Sequence, residues 1–196
     1  VSDALIEEWD EVLLIGHSSG AHMAVTVMAE VIRQRNGRTG GPELSLLTLG
    51  HVVPMISFLP AADGLRSDLR YLSNSDRIGW VDVTAPGDGC SFALCDPVAV
   101  TGVAPPDQRW PLVLSAAFSQ TLSPSLWRSL RRRYFRLHFQ YLCAFDNLSG
   151  RKGDYDYFAV TAGPLTLVDR FGDRNPSASR IVTPLSPHRS LAVDAA

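Results

Sequence analysis

The sequence predicts an α/β protein with a mostly parallel sheet and flanking helices. Three observations carry that prediction. Residues 12–15, Val-Leu-Leu-Ile, form a short apolar run fit for a strand buried on both faces. They end in Gly16-His17-Ser18-Ser19-Gly20, a G-x-S-x-G pattern, and residues 21–35 then read as a helix. Two more apolar runs follow, at 44–49 and 78–84, separated by a helical pattern at 63–72. Strand, helix, strand in this order implies parallel neighbours joined by a right-handed crossover.

The chain opens with a short helix expected over residues 3–10, capped by Ser2, with Leu5, Ile6 and Trp9 on one face. The helix after Gly20 carries an apolar stripe of Met23, Ala24, Val27, Met28, Val31 and Ile32. Its basic end at Arg33 and Arg35 suits the helix dipole, and the Gly- and Pro-rich residues 36–42 must end it. Residues 51–60 are apolar but carry two prolines, which predicts a loop over the strand ends. Residues 85–89, Ala-Pro-Gly-Asp-Gly, form a strong turn after the third strand. Residues 91–109 read as irregular, and 112–118 as a short strand or a loop covering the substrate.

Ser123-Pro124 opens a helix predicted to run from 124 to 143. It holds Arg128, Arg131, Arg132, Arg133 and Arg136 between aromatic and aliphatic residues, which suits either a solvated basic face or peripheral contact with an anionic membrane. Residues 1–169 are expected to form the domain, and the Pro-, Ser- and Arg-rich residues 170–196 a loose tail.

With a net charge of −2 over 196 residues, no global basic field exists, so nucleic acid is not the expected partner. Three cysteines, Cys90, Cys95 and Cys143, make no disulfide framework and suggest a reducing, cytoplasmic compartment. Cys90 and Cys95 have no second Cys or His pair at zinc-site spacing and read as small buried apolar residues. No phosphate-binding glycine loop is present, and neither a cofactor nor a metal is expected.

In G-x-S-x-G between strand and helix, the serine occupies a strained turn that lifts its hydroxyl toward a substrate. The glycines are expected where strand and helix approach too closely for a side chain. The Ser19 N–H, at the helix N-terminus, can receive a developing oxyanion. A serine hydroxyl needs a general base, and the base needs a carboxylate. His138 is the preferred base among the five histidines. His17 and His51 are expected to border the pocket, and His188 lies in the tail. Asp88, in the turn after the third strand, is the preferred acid. Asp96 is its rival and Asp82, inside the strand, a weaker one.

Gly16-His-Ser-Ser-Gly20 resembles the nucleophile elbow of α/β-hydrolase lipases and esterases, and Thr48-Leu-Gly50 is similar to the strand end that follows the elbow in class 3 lipases. In that family a catalytic aspartate follows a third strand, and a histidine comes later in an H-x-x-[YW] context. Asp88, and His138 with Tyr141, match those positions. The resemblance, over about residues 12–142, implies a serine hydrolase that cleaves a carboxylic ester of a small molecule or lipid. Residues 52–59 and 112–118 would suit an acyl chain. The chain departs from the family in its ambiguous acid and in lacking amino-terminal strands and their oxyanion loop. It opens on Val1, as expected of a fragment or processed piece. The competing expectation is a non-catalytic domain of the same fold that binds a partner protein or membrane through the basic helix.

Overall fold

The computed structural model describes residue 5 and residues 8–35, 40–146 and 155–192. Its centre is a four-stranded, all-parallel sheet in the order β1-β2-β3-β4, with helices on both faces. In chain order the elements are β1 (Glu11–His17), α1 (Gly20–Gln34), β2 (Glu43–Leu49), α2 (Val53–Ser57), α3 (Asp63–Ser73), β3 (Gly79–Thr84), α4 (Pro97–Thr101) and β4 (Leu112–Ser115). There follow α5 (Phe118–Thr121), α6 (Pro124–Leu130), α7 (Tyr134–His138), a 3-10 turn (Phe139–Leu142), α8 (Tyr157–Thr161) and α9 (Leu167–Phe171).

Alternation along the strands divides the core. Leu44, Leu46, Ile78 and Trp80 face α1 and α3 and meet Ala24, Met28, Ile32, Leu69 and Leu72. Leu47, Leu49, Val81, Val83, Leu112 and Leu114 face the opposite layer, with Leu137, Tyr141, Leu167 and Phe171. A parallel sheet covered on both faces explains why these strands are continuous apolar runs. Strand β1 differs from expectation. Residues 11–15 are only half-buried, because β1 lies at the sheet edge and pairs with β2 alone.

Other sequence expectations are corrected. Residues 8–10 are not helical and Trp9 is exposed; the rest of the expected opening helix, apart from Leu5, lies outside the described residues. On α1 the buried stripe is Ala21, Ala24, Val25, Met28, Ala29, Val31 and Ile32, so of the expected residues Met23 and Val27 face outward. Residues 53–57 form α2 rather than a loop, because Pro54 stands in the first turn, where a missing N–H costs nothing. The helix expected over 124–143 is broken into α6, α7 and the 3-10 turn. Arg133 leaves the helical region (φ −115°, ψ 79°), and its N–H bonds Leu130 O at 2.7 Å. The break turns α7 so that Leu137 and His138 are buried, while Tyr134, Phe135 and Arg136 stay exposed.

The segment read as a loose tail is pinned by its backbone. Ser177 N–H donates to Val113 O, Ile181 N–H to Leu94 O, Asp96 N–H to Ile181 O and Leu185 N–H to Val100 O. The buried guanidinium of Arg66 donates to Ser190 O and Ser190 Oγ, and also to Ser57 O, Leu59 O and Pro60 O. Composition misses this because the tail is held by main-chain bonds, while Ile181, Val182 and Leu185 remain exposed. Among the described residues no helix is long and apolar enough to cross a membrane.

Candidate active site

Parallel pairing sets His17 of β1 beside Leu49 of β2, and Leu49 beside Val83 of β3. The carboxyl ends of three strands therefore lie together, and Ser18, Gly50 and Asp88 follow them. In open α/β sheets this edge is where ligands bind.

The turn after β1 has the strain expected of it. Ser18 adopts φ +55°, a left-handed conformation uncommon outside glycine. It is held there by Ser18 N–H donating to Leu49 O (2.9 Å) and by Ala21 N–H donating to Ser18 O (3.2 Å). A Cβ on Gly16 would lie 2.7 Å from Ala21 Cα and 2.8 Å from Ala24 Cβ, so glycine there lets α1 fold back on β1. Gly20 is different: a Cβ would meet nothing within 4 Å, so steric crowding accounts for one glycine of the motif and not both. The Ser19 N–H makes no hydrogen bond among the described residues and opens helix α1 at an exposed position.

Asp88 sits in the turn after β3, with its N–H on Ala85 O. Its Oδ1 accepts Cys90 N–H at 3.0 Å, and its Oδ2 accepts both His138 Nδ1 at 2.8 Å and the Tyr141 hydroxyl at 3.0 Å. Burial alone would raise this carboxyl. The hydrogen bonds from His138, Cys90 and Tyr141, with the charge of His138, hold it below the usual carboxylate range. An ionised carboxylate only accepts, so His138 Nδ1 carries the proton, and in the neutral ring Nε2 carries the lone pair. That Nε2 is buried and has no hydrogen-bond partner among the described residues. It makes no bond to Ser18 Oγ here; such contacts are often long until substrate binds.

His138 reaches this place because Gly50 has no side chain. A Cβ on Gly50 (φ +51°) would come within 2.6 Å of the Tyr141 ring and 3.0 Å of His138 Cε1. The His17 ring packs against His138 in a tilted arrangement, 4.6 Å between ring centroids. His17 Nε2 lies 2.9 Å from His138 O; a carbonyl only accepts, so His17 is the donor. Burial lowers the His17 pKa, partly offset by this bond, so a neutral ring lies beside His138. His17 therefore positions His138, a role the sequence did not suggest.

The remaining candidates separate. Asp96 does not approach His138. Its Oδ1 accepts Val98 N–H and Ala99 N–H as the N-cap of α4, and its Oδ2 accepts Gln108 Nε2 at 2.8 Å. The signal was in the sequence: Asp96-Pro97 is the same cap-then-proline start as Ser123-Pro124. His51, expected at the pocket, is fully buried, with Nε2 3.0 Å from Cys95 O and 3.6 Å from Asp82 Oδ2. His188 is held locally, its N–H on Ser186 Oγ. Residues 112–115 are core strand and cannot receive a ligand chain. Clefts elsewhere, such as one of about 490 Å³ lined by Glu43, Asp76 and Arg77, open at the amino ends of β2 and β3.

Behind the turn, Asp82 is buried at the register of Gly16 and Thr48. Thr48 Oγ1 donates to Asp82 Oδ1 at 2.6 Å and accepts Trp80 Nε1 at 3.1 Å. Burial pushes the Asp82 carboxyl up to about 6, against the lowering effects of His51 and Thr48. A raised carboxyl pKa contributes stability that is complete below the unfolded value of 3.8 and lost as pH rises through about 6. The shift is worth up to roughly 3 kcal/mol. Asp82→Asn keeps an acceptor for Thr48 and cannot ionise. It should therefore gain stability over the wild type as pH rises through this window, read as denaturation midpoints at both ends. A difference between the two proteins that does not change with pH would contradict this account.

No family profile, characterised protein or solved structure matches this chain.

Proposed function

We propose that this chain is a serine hydrolase of the α/β-hydrolase type, resembling class 3 lipases and esterases, that cleaves a carboxylic ester through an acyl-enzyme on Ser18. The observation that carries the reading is the Asp88–His138 pair, brought 2.8 Å apart beside the Ser18 turn from 50 residues apart in sequence. Nε2, with its lone pair free, takes the Ser18 proton as Oγ attacks the acyl carbon. The Ser19 N–H receives the oxyanion. His138 then passes the proton to the departing alcohol, and Asp88 stabilises the transient imidazolium. Water, deprotonated by the same Nε2, releases the acid. Exposed Met55, Ile56 and Leu59, just after β2, favour an apolar acyl chain.

A fluorophosphonate probe tests this directly. The purified chain should label at Ser18, and Ser18→Ala should abolish the labelling without lowering the melting temperature. A folded chain that never labels would instead favour the binding-domain reading. One observation supports that second reading: Arg128, Arg131, Arg132, Arg133 and Arg136 are all exposed beside Tyr134 and Phe135, with no acidic residue between 108 and 145. Such a surface suits an anionic membrane.

A further inference from the structure

Cys90 has no part in the hydrolysis just described, yet it lies against the pair that drives it. The Asp88 turn doubles back, so that Cys90 N–H bonds Asp88 Oδ1 at 3.0 Å. One ligand atom from each of Asp88, Cys90 and His138 (a carboxylate oxygen, the thiol sulphur and a ring nitrogen) lie within 4.8 Å of one another. Asp88 and His138 are buried, and Cys90 is half-buried, which leaves a way in from solvent. His138 adds a buried Nε2 with no partner among the described residues.

The thiol is not built for nucleophilic chemistry, since desolvation and the Asp88 charge push it up. The donor set suits a different task. Thiolate, imidazole and carboxylate together are the ligand types of zinc, with a fourth tetrahedral position left for water. Donors around one zinc lie roughly 2.0 to 2.3 Å from it, so side-chain adjustments alone could close this cluster on an ion.

We infer that Asp88, Cys90 and His138 form a binding site for one zinc-type divalent cation, and that its occupancy switches the Ser18 centre off. The thiol proton leaves to solvent on binding, and the thiolate and carboxylate together neutralise the ion. Inhibition follows whichever ring nitrogen takes the metal. Coordination at Nε2 uses the lone pair that would accept the Ser18 proton. Coordination at Nδ1 moves the ring proton to Nε2 and breaks the hydrogen bond to Asp88. In both cases the imidazole stops being a base oriented by a carboxylate. The regulatory half rests on the serine-hydrolase reading; the binding half does not.

The test uses the full metal-free chain and cobalt(II). Cobalt should raise a near-ultraviolet thiolate-to-metal charge-transfer band that saturates at equimolar metal and is bleached by zinc. Cys143→Ser should keep the band. Cys90→Ser should lose it and weaken cobalt binding by more than the roughly 10- to 100-fold lost with an outer-shell partner. No band, or one that survives Cys90→Ser, overturns the site. Should that variant fold poorly, alkylation of Cys90 in the unaltered chain decides: zinc should protect it, and equal alkylation with and without zinc overturns the site. Zinc should also block fluorophosphonate labelling, and a chelator should restore it. A Cys90-dependent cobalt band in a protein that never labels would defeat the hydrolase reading and leave the cation site standing. Labelling with no cobalt band would do the reverse.

Discussion

His138→Ala is expected to lower kcat on a p-nitrophenyl ester about 10⁶-fold, the scale on which a hydrolase loses its general base. The loss is large because the Ser18 hydroxyl is a weak nucleophile without an acceptor for its proton. Asp88→Asn should cost about 10⁴-fold. The amide can donate to Nδ1, which moves the ring proton to Nε2 and removes the lone pair that would accept the Ser18 proton. Tyr141→Phe deletes only one of the three hydrogen bonds on Asp88 and should cost about 1 kcal/mol, roughly fivefold. The ordering is the discriminating result. His138→Ala within about tenfold of wild type, at unchanged melting temperature, would remove His138 from the chemistry.

Gly16→Ala should be strongly destabilising for the change of a single methyl. The new methyl would stand 2.7 Å from Ala21 Cα and 2.8 Å from both Ala24 Cβ and Gly20 O. Backbone atoms cannot rotate aside, so α1 would have to lift from β1 and give up contacts made by Ala21, Ala24 and Val25. A loss of about 3 kcal/mol or more is expected, at the upper end for overpacking. Gly20→Ala, in the same pentapeptide, meets open space and should leave the denaturation midpoint within about 0.5 kcal/mol of wild type. Equal midpoints for the two variants would refute the close approach of α1 to β1.

What could be read in advance divides by the range of the signal. The strand cores at β1, β2 and β3, and the helices α1 and α3, follow from apolar periodicity within a few residues. The Ser18 turn has its own local signature in two glycines between a strand and a helix. Asp88 was legible because the turn after a parallel strand sits at the sheet's carboxyl edge wherever that strand lies. Asp96 carries a local signal of another role, because an Asp before proline is the start of a capped helix.

Other features have no local signal. Three consecutive arginines at 131–133 look like continuous helix, and only the burial of Leu137 and His138 in the opposite layer shows the break. The tail looks loose because its anchors are carbonyls of distant loops, which side-chain composition cannot report. The half-exposure of β1 depends on strand order, a property of the whole sheet.

By itself, then, the amino-acid order determined the α/β class, the positions of the strands and the serine on its turn, since each is settled by contacts within one or two turns of chain. Only the tertiary structure decided which histidine meets which carboxylate. Nδ1 of His138 meets Asp88 because Gly50 leaves room for the ring and His17 holds its backbone. Those partners come from four separate segments, and hydrogen bonds a few ångströms long depend on how the segments converge, which no single stretch of sequence encodes.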